Sequence, residues 1–264
     1  MATIADTVLA GDGCRLAVQL DGPPDAPVLV LSSSLGTGAG MWEPNVAALA
    51  RRFRVLRLDT RGHGASDAPD GEYTLARLGA DVLDVLDAQR VERAHFCGVS
   101  LGGMIGQWLG AHAPGRVERL VLASTASFMG PPSGWDERIA TVRRDGMGAL
   151  VDALLGRWLT PAFRAAPPEE EARLRAMVLA TNPVGYAGCC AAIRDMDLRA
   201  DVARITAPTL LITGTADPAT PPAAADAIAG AMRVRPRIVA LEAAHLASVE
   251  QPRAFERAVV EHLS

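Results

Sequence analysis

The chain has 264 residues, 49% of them hydrophobic and 21% charged, a composition typical of a folded globular protein rather than a disordered one. Its 26 basic residues, all arginine, face 30 acidic ones, and the net charge of −4 provides no electrostatic footprint for nucleic acid. Four irregularly spaced cysteines are too few for a disulfide framework or a zinc site, so they indicate reduced thiols in a cytoplasmic protein without a metal centre.

The first half of the chain alternates strands with helices. The turn dipeptide Asp12-Gly13 predicts an antiparallel hairpin over residues 3–20. Short apolar runs then predict strands at 28–31, 54–58, 95–97 and 120–123, separated by helices near 42–51, 74–88 and 101–112. Two later strands, at 209–212 and 238–241, are each followed by a helix. This alternation predicts an α/β protein with a mostly parallel sheet and helices on both faces.

Residues 127–205 interrupt the alternation. They contain no apolar strand, and three helices are predicted, beginning near Trp135, Glu169 and Pro183. A helical insertion between two strands is best explained as a lid over the carboxyl edge of the sheet, where α/β proteins bind ligands. We therefore expect a core of residues 1–126 and 206–264 and a helical lid of residues 127–205.

Residues 94–115 contain no charged side chain and are long enough to cross a bilayer. Polar residues interrupt the stretch, and we interpret Gly102, Gly106 and Gly110 as a helix face packed closely against strands. No signal-peptide pattern is visible at the N-terminus. We expect a soluble protein that has no membrane partner.

The segment Gly98-Val99-Ser100-Leu101-Gly102 follows a predicted strand and opens a helix, the context that a nucleophile elbow requires. Side chains at the two glycines would collide with neighbouring elements. The tight turn directs the Ser100 hydroxyl into the crevice above the sheet, and the helix N-terminus favours an oxyanion there. Ser100 is therefore the predicted nucleophile.

In this arrangement the partners follow in the order serine, acid, histidine. Of the five histidines, only His245 lies in a short loop after a late strand and before a helix. Asp217 follows the preceding strand at the same edge, whereas Asp226 lies inside a helix and Glu242 is too near the histidine. The sequence predicts Asp217 and His245 as acid and base, and the amides of Leu101 and Leu35 as the oxyanion hole.

With these residues in place, the chain resembles the α/β-hydrolase family over essentially its whole length. The resemblance is carried by Ser32 to Gly36, the turn from Asp59 to Ser66, the elbow, Asp217 and His245-Leu246. It implies the α/β-hydrolase fold, hydrolysis without a cofactor, and purely structural roles for Arg61 and His63 in the turn.

More narrowly, the chain resembles the 3-oxoadipate enol-lactonases, which open an enol-lactone in bacterial aromatic degradation. The marks of this closer resemblance are Ser34-Leu35-Gly36-Thr37, the stretch from Trp135 to Ile139, and Arg194-Asp195-Met196-Asp197. Ser33 departs from the pattern, since those enzymes carry asparagine there. The resemblance implies a small lactone or ester as the substrate.

An arginine on an apolar helix face points to an anionic substrate. Trp135, Arg138, Ile139 and Val142 have the spacing of one helical stripe, and an arginine there must pair with something or stand at a cavity mouth. Arg138 is thus a candidate for the substrate carboxylate and Trp135 for a cavity wall. The alternatives are an ion pair with Asp195 or Asp197, or a packed stem whose guanidinium reaches water. For Arg194 the ion pair is favoured.

Three functions stay open on these grounds. The first is a serine hydrolase of a small lactone or carboxylic ester. The second is an esterase, perhydrolase or C–C hydrolase of the same fold. The third is a ligand receptor that retains the three residues without turnover. The oligomeric state is not determined by the sequence.

Overall fold

An eight-stranded sheet runs through the centre of the protein in a computed structural model that describes residues 4–165 and 168–264. Its strands are β1 (Ile4–Leu9), β2 (Arg15–Asp21), β3 (Val28–Ser32), β4 (Arg54–Leu58), β5 (Ala94–Val99), β6 (Val117–Ala123), β7 (Thr209–Gly214) and β8 (Arg237–Leu241). They lie side by side in the order β1-β2-β4-β3-β5-β6-β7-β8. β1 pairs with β2 and β2 with β4 in antiparallel register, and all later pairings are parallel. The predicted hairpin and parallel sheet are confirmed, except that residue 3 lies outside the described residues.

Helices alternate with these strands as predicted. They are α1 (Glu43–Leu49), α2 (Leu75–Ala88), α3 (Leu101–His112), α4 (Ser133–Asp145), α5 (Val151–Trp158), α6 (Pro161–Arg164), α7 (Pro168–Ala180), α8 (Pro183–Asp195), α9 (Pro222–Ala231), α10 (Ala247–Glu250) and α11 (Pro252–Leu263). The sheet and the helices against it share one cluster of buried apolar side chains. Parallel strands buried between helices explain why the predicted strands read as continuous apolar runs.

The prediction of three helices between β6 and β7 is wrong. The described residues there form α4 to α8, so α5 and α6 were missed. Both are short, and an apolar period needs a window of about 11 residues or more to be recognised. α6 nevertheless has a cap signal: Pro161 opens it, and the hydroxyl of Thr160 accepts a hydrogen bond from the amide of Phe163 (3.2 Å).

The uncharged stretch 94–115 is divided between β5 and α3 and packs as expected. A Cβ at Gly106 would press against Leu122 and Phe96, and one at Gly110 against Leu120. Within the described ranges, no single helix combines the length and the apolar character needed to cross a bilayer. The pair Glu169–Ala180 and Pro183–Asp195 reaches that length only together, across a bend of 93°.

Candidate active site

The turn between β5 and α3 holds Ser100 in a conformation that the neighbouring glycines make possible. Ser100 has φ 59° and ψ −113°, a sparsely populated backbone conformation for a residue with a side chain. A Cβ at Gly98 would collide with the backbone of Gly102, and one at Gly102 with the carbonyl of Ser32. The strand, the helix and the close backbone contacts at Gly98 and Gly102 therefore form the sharp turn that the sequence predicts.

Asp217 and His245 meet beyond the ends of β7 and β8. His245 Nδ1 lies 2.8 Å from Asp217 Oδ2, and both side chains are buried. Asp217 Oδ1 also accepts the amides of Ala219 (2.8 Å) and Thr220 (3.0 Å), and Oδ2 accepts the Thr220 hydroxyl (2.8 Å). Burial alone would raise the pKa of Asp217, but the hydrogen bonds from His245 and Thr220 outweigh it, so the pKa is lowered. The carboxylate is ionised at neutral pH and fixed on both oxygens.

Ser100 and His245 line one cavity of about 280 Å³. Ser100 is 8% exposed, enough for the hydroxyl to face the cavity while its backbone is held by the sheet. The Ser100 amide donates to the Ala123 carbonyl (2.9 Å), and the Ser100 carbonyl accepts the Thr125 hydroxyl (2.8 Å). The structure thus brings together the three side chains that the sequence selected from positions far apart in the chain.

Two main-chain amides are available beside the serine. Leu35 lines the cavity, and Leu101 is the first residue of α3, where helix amides have no partner within the helix. Neither amide has a hydrogen-bond acceptor in the part of the chain that the structure describes. These are the two donors that the sequence assigned to the oxyanion hole.

The outer wall of the cavity comes from the helices between β6 and β7. Trp135 and Arg138 of α4 both line it, and the guanidinium of Arg138 lies 4.7 Å from the centre of the Trp135 ring. The Trp135 indole N–H is fixed on the carbonyl of Met129 (2.8 Å). Neither predicted acidic partner pairs with Arg138, since Asp195 and Asp197 pair with other arginines.

Arg157 also lines the cavity and was missed in the sequence. It lies on α5 beside Leu154 and Trp158, two further lining residues at helical spacing. That spacing is the same signal that drew attention to Arg138, but α5 itself was not predicted. Among the described residues, neither Arg138 nor Arg157 forms an ion pair with a carboxylate. The cavity therefore holds two cations whose charge is not neutralised by a bound carboxylate of the protein.

Arg194, the other arginine considered for substrate binding, lies in an ion-pair network. It pairs with Asp195 (2.7 Å), Glu72 (2.9 Å) and Asp136 (3.1 Å). These hydrogen bonds raise the pKa of its guanidinium further above its usual value. The favoured interpretation of Arg194 as a structural ion pair is therefore confirmed.

The turn from Asp59 to Ser66 is held by buried polar contacts. Arg61 pairs with Asp81 (2.6 Å) and Asp12 (2.8 Å), which makes it a structural cation. His63 is 1% exposed, and its Nε2 lies 2.9 Å from the amide nitrogen of Gly36. Within the described ranges, no cluster of three potential metal-ligating His, Cys, Asp or Glu side chains is found.

The family whose sequence model matches the chain is described as the α/β hydrolase fold, and the match covers residues 27–252. The fold predicted from the sequence is therefore confirmed. A curated relative, 3-oxoadipate enol-lactonase 1 of Acinetobacter baylyi, is 40% identical over 92% of this chain and 91% of its own length.

Two solved structures are similar over nearly their whole length. A hydrolase from Pseudomonas aeruginosa PA01 is 51% identical with a TM-score of 0.95, and 98% of each chain is covered. The enol-lactonase from Burkholderia xenovorans LB400 is 42% identical, also with a TM-score of 0.95, over 98% of this chain and 99% of that one.

Proposed function

Because the chain belongs to the α/β-hydrolase family and is a hydrolase, we propose that it opens a small carboxylated lactone through an acyl-enzyme on Ser100. The observation that carries the proposal is the cavity itself. It is lined by Ser100, by His245 with Asp217 bonded behind it, and by two arginines that have no carboxylate partner among the described residues.

The first half of the reaction follows from the hydrogen bond between His245 and Asp217. With Nδ1 donating its proton to the carboxylate, Nε2 carries the lone pair that accepts the Ser100 proton as the hydroxyl attacks the lactone carbonyl. The negative charge on the carbonyl oxygen is stabilised by the amides of Leu35 and Leu101. Collapse breaks the ring C–O bond, and the leaving oxygen takes the proton from His245.

The second half releases the acyl group. His245 removes a proton from water, which attacks the ester carbonyl and forms a second tetrahedral intermediate in the same hole. Collapse returns the proton to Ser100 and leaves a new carboxylic acid. Because this acid is ionised at neutral pH, the product carries one more negative charge than the substrate.

The substrate class is supported by charge and by relatives. Arg138 stands on the Trp135 ring inside the cavity, and Arg157 lies at its more exposed side. A guanidinium that faces a cavity and has no carboxylate partner among the described residues can recognise a substrate carboxylate through charge-assisted hydrogen bonds. The relatives from Acinetobacter baylyi and Burkholderia xenovorans carry the name enol-lactonase, and 3-oxoadipate enol-lactone is the member of this class that we propose.

The proposed lid consists of residues 127–205 over a core of residues 1–126 and 206–264. Side chains from α4, α5 and α8 line the cavity that Ser100 and His245 also line. A reducing, cytoplasmic location is supported by the four cysteines, all of which are buried and free.

The test is a substrate panel on purified protein, with Ser100→Ala and Ser34→Ala as a matched pair of cavity serines. The panel contains a carboxymethyl enol-lactone, an uncharged lactone of the same ring size and p-nitrophenyl acetate. We expect the carboxylated lactone to have the highest kcat/KM, and Ser100→Ala to lower kcat by about 10⁴–10⁶-fold. A fluorophosphonate probe is expected to label the wild type and Ser34→Ala and to leave Ser100→Ala unlabelled.

The panel separates the proposed lactonase from an esterase and from a receptor. A preference for p-nitrophenyl acetate over both lactones identifies an esterase. Labelling of Ser100 without turnover of any panel member favours the receptor. Ester turnover by Ser100→Ala at the wild-type rate removes Ser100 from the mechanism.

A further inference from the structure

We propose that His63 is a positioning residue for the oxyanion hole: by accepting the amide of Gly36, it holds in place the loop that carries the neighbouring Leu35 amide. The inference rests on the proposed function, because it assumes that the Leu35 amide stabilises the reaction's oxyanion. It assigns to His63 more than the structural role in the turn that the sequence implied.

The peptide before Leu35 is held by Thr37. The carbonyl of Ser34 accepts both the amide (3.1 Å) and the hydroxyl (2.7 Å) of Thr37. In a trans peptide the carbonyl and the N–H point in opposite directions, so fixing the Ser34 carbonyl directs the Leu35 N–H away from Thr37. The peptide that carries the Leu35 N–H is thereby fixed by a residue of the same loop.

The peptide after Leu35 is held from outside the loop. The Gly36 amide donates to His63 Nε2 at 2.9 Å, a contact between residues 27 positions apart. Gly36 has φ 83°, and a Cβ there would be 3.3 Å from the ring of Tyr186, so the position both needs and suits glycine. The flexibility of glycine also means that the backbone alone does not define this peptide. The bond to His63 restrains it, while the hydroxyl of Thr181 donates to the Gly36 carbonyl in the next peptide (3.3 Å).

His63 is itself rigidly mounted. It is 1% exposed, and its Nδ1 faces the Arg61 carbonyl at 3.3 Å. Arg61 is in turn fixed by Asp81 and Asp12. Because Nε2 is the acceptor for Gly36, the proton of the neutral ring is on Nδ1. Burial lowers the pKa of His63, which keeps the ring in this neutral, accepting state.

The hydrogen bond between His63 and Gly36 is therefore expected to affect the reaction rate as well as the stability of the fold. Without the acceptor, the peptide between Leu35 and Gly36 loses its contact with the turn from Asp59 to Ser66, and the loop that carries the Leu35 amide can shift away from the oxyanion. The ground state, whose planar carbonyl carries little charge, depends on the position of this amide less than the tetrahedral intermediate does. Loss of the contact is expected to lower kcat and to leave KM nearly unchanged.

The test compares three substitutions of His63. In His63→Gln the side-chain carbonyl can stand where Nε2 stood, so the acceptor is kept. His63→Asn is polar but too short to reach Gly36, and His63→Leu is of similar volume without an acceptor. His95→Leu is the matched control, because His95 is also buried (7% exposed) and lies at the opposite end of β5 from Ser100.

The readouts separate positioning from stability. They are kcat and KM for p-nitrophenyl acetate, the inhibition constant of phenylboronic acid, which forms a tetrahedral adduct with a serine nucleophile, and that of benzoate, which stays planar. Loss of a whole oxyanion donor lowers kcat by about 10²–10³-fold, so a displaced donor is expected to cost about 10–100-fold. We expect this loss in kcat for His63→Asn and His63→Leu, with an equal rise in the phenylboronic acid constant and no change for benzoate.

His63→Gln is expected to recover most of the loss, and His95→Leu to keep wild-type kcat and phenylboronic acid binding. The Asn and Gln variants retain polar side chains, so their comparison decides the matter even where the Leu variant does not fold. Equal kcat in His63→Gln and His63→Asn overturns the inference while the hydrolase function stands. A wild-type protein without Ser100-dependent ester or lactone turnover overturns the proposed function and this inference together.

Discussion

The substitution Asp217→Asn tests the catalytic role of the acid, because the structure dictates how the amide must sit. Two backbone amides, of Ala219 and Thr220, both donate to Asp217 Oδ1. An asparagine satisfies them only by placing its carbonyl oxygen there, which puts its NH₂ group at the Oδ2 position, against His245 Nδ1. His245 must then accept at Nδ1 and carry its proton on Nε2. In this tautomer it cannot take the proton of Ser100.

The expected magnitude follows from that tautomer. The imidazole keeps its place, since the new amide still bonds to Nδ1, but its proton is on the wrong nitrogen, Nε2. The same substitution in a serine protease lowers kcat by about 10⁴-fold, and we expect a loss of about 10³–10⁴-fold here. Substrate binding does not involve the tautomer, so KM is expected to change little.

The assay is steady-state turnover of the best panel substrate, with thermal unfolding as a check on the fold. Asp226→Asn is the matched control, because Asp226 is an exposed carboxylate on α9, nine residues further along the chain. It is expected to keep full activity. A folded Asp217→Asn protein with kcat within about tenfold of the wild type refutes the tautomer reasoning.

Two further predictions concern the cavity charge and the elbow. For Arg138→Met we expect the kcat/KM of the carboxylated lactone, divided by that of the uncharged lactone, to fall by about 10-fold or more, because a hydrogen bond to a charged group is lost. The control is Arg143→Met, which changes an exposed arginine of the same helix and is expected to leave this ratio unchanged. Gly98→Ala forces a Cβ against backbone, so we expect it to destabilise the protein by about 1–3 kcal/mol or more in urea unfolding. Gly230→Ala, in open space on α9, is expected to stabilise it by about 0.5–1 kcal/mol, and equal stability of the two variants contradicts the crowding argument.

The parts of the site that sequence could predict are those encoded locally. The elbow needs a strand, two crowded glycines and a helix in one continuous stretch, here Ala94–Val99 followed by Leu101–His112, and each of these features has a recognisable sequence pattern. His245 and Asp217 could be selected because each follows an apolar strand and precedes a helix. A local signal of this kind depends on backbone geometry rather than on distant neighbours.

The parts that sequence could not predict depend on contacts between distant residues. The hydrogen bond between the Gly36 amide and His63 is one example. The sequence of the turn does not show that His63 contacts Gly36, so the role of either residue becomes visible only in the structure. That Arg138 and Arg157 face the cavity without a carboxylate partner among the described residues likewise depends on the tertiary structure. The sequence around an arginine on a helix does not show whether its guanidinium meets a distant carboxylate, as Arg194 meets Glu72, or faces a cavity.

The strand order places the residues of the proposed reaction at one edge of the sheet. Leu35, Ser100, Asp217 and His245 follow β3, β5, β7 and β8, whose parallel carboxyl ends share one edge. β7 and β8 are neighbours, so the acid and the histidine meet directly, but β6 lies between them and the serine. At the end of β6 the backbone turns sharply at Ser124, with φ 43°, and the chain then leaves for the helices that line the cavity. The segment after β6 supplies Trp135 and Arg138 to the cavity that Ser100 and His245 also line, so the serine and the histidine face one cavity although other strands lie between β5 and β8.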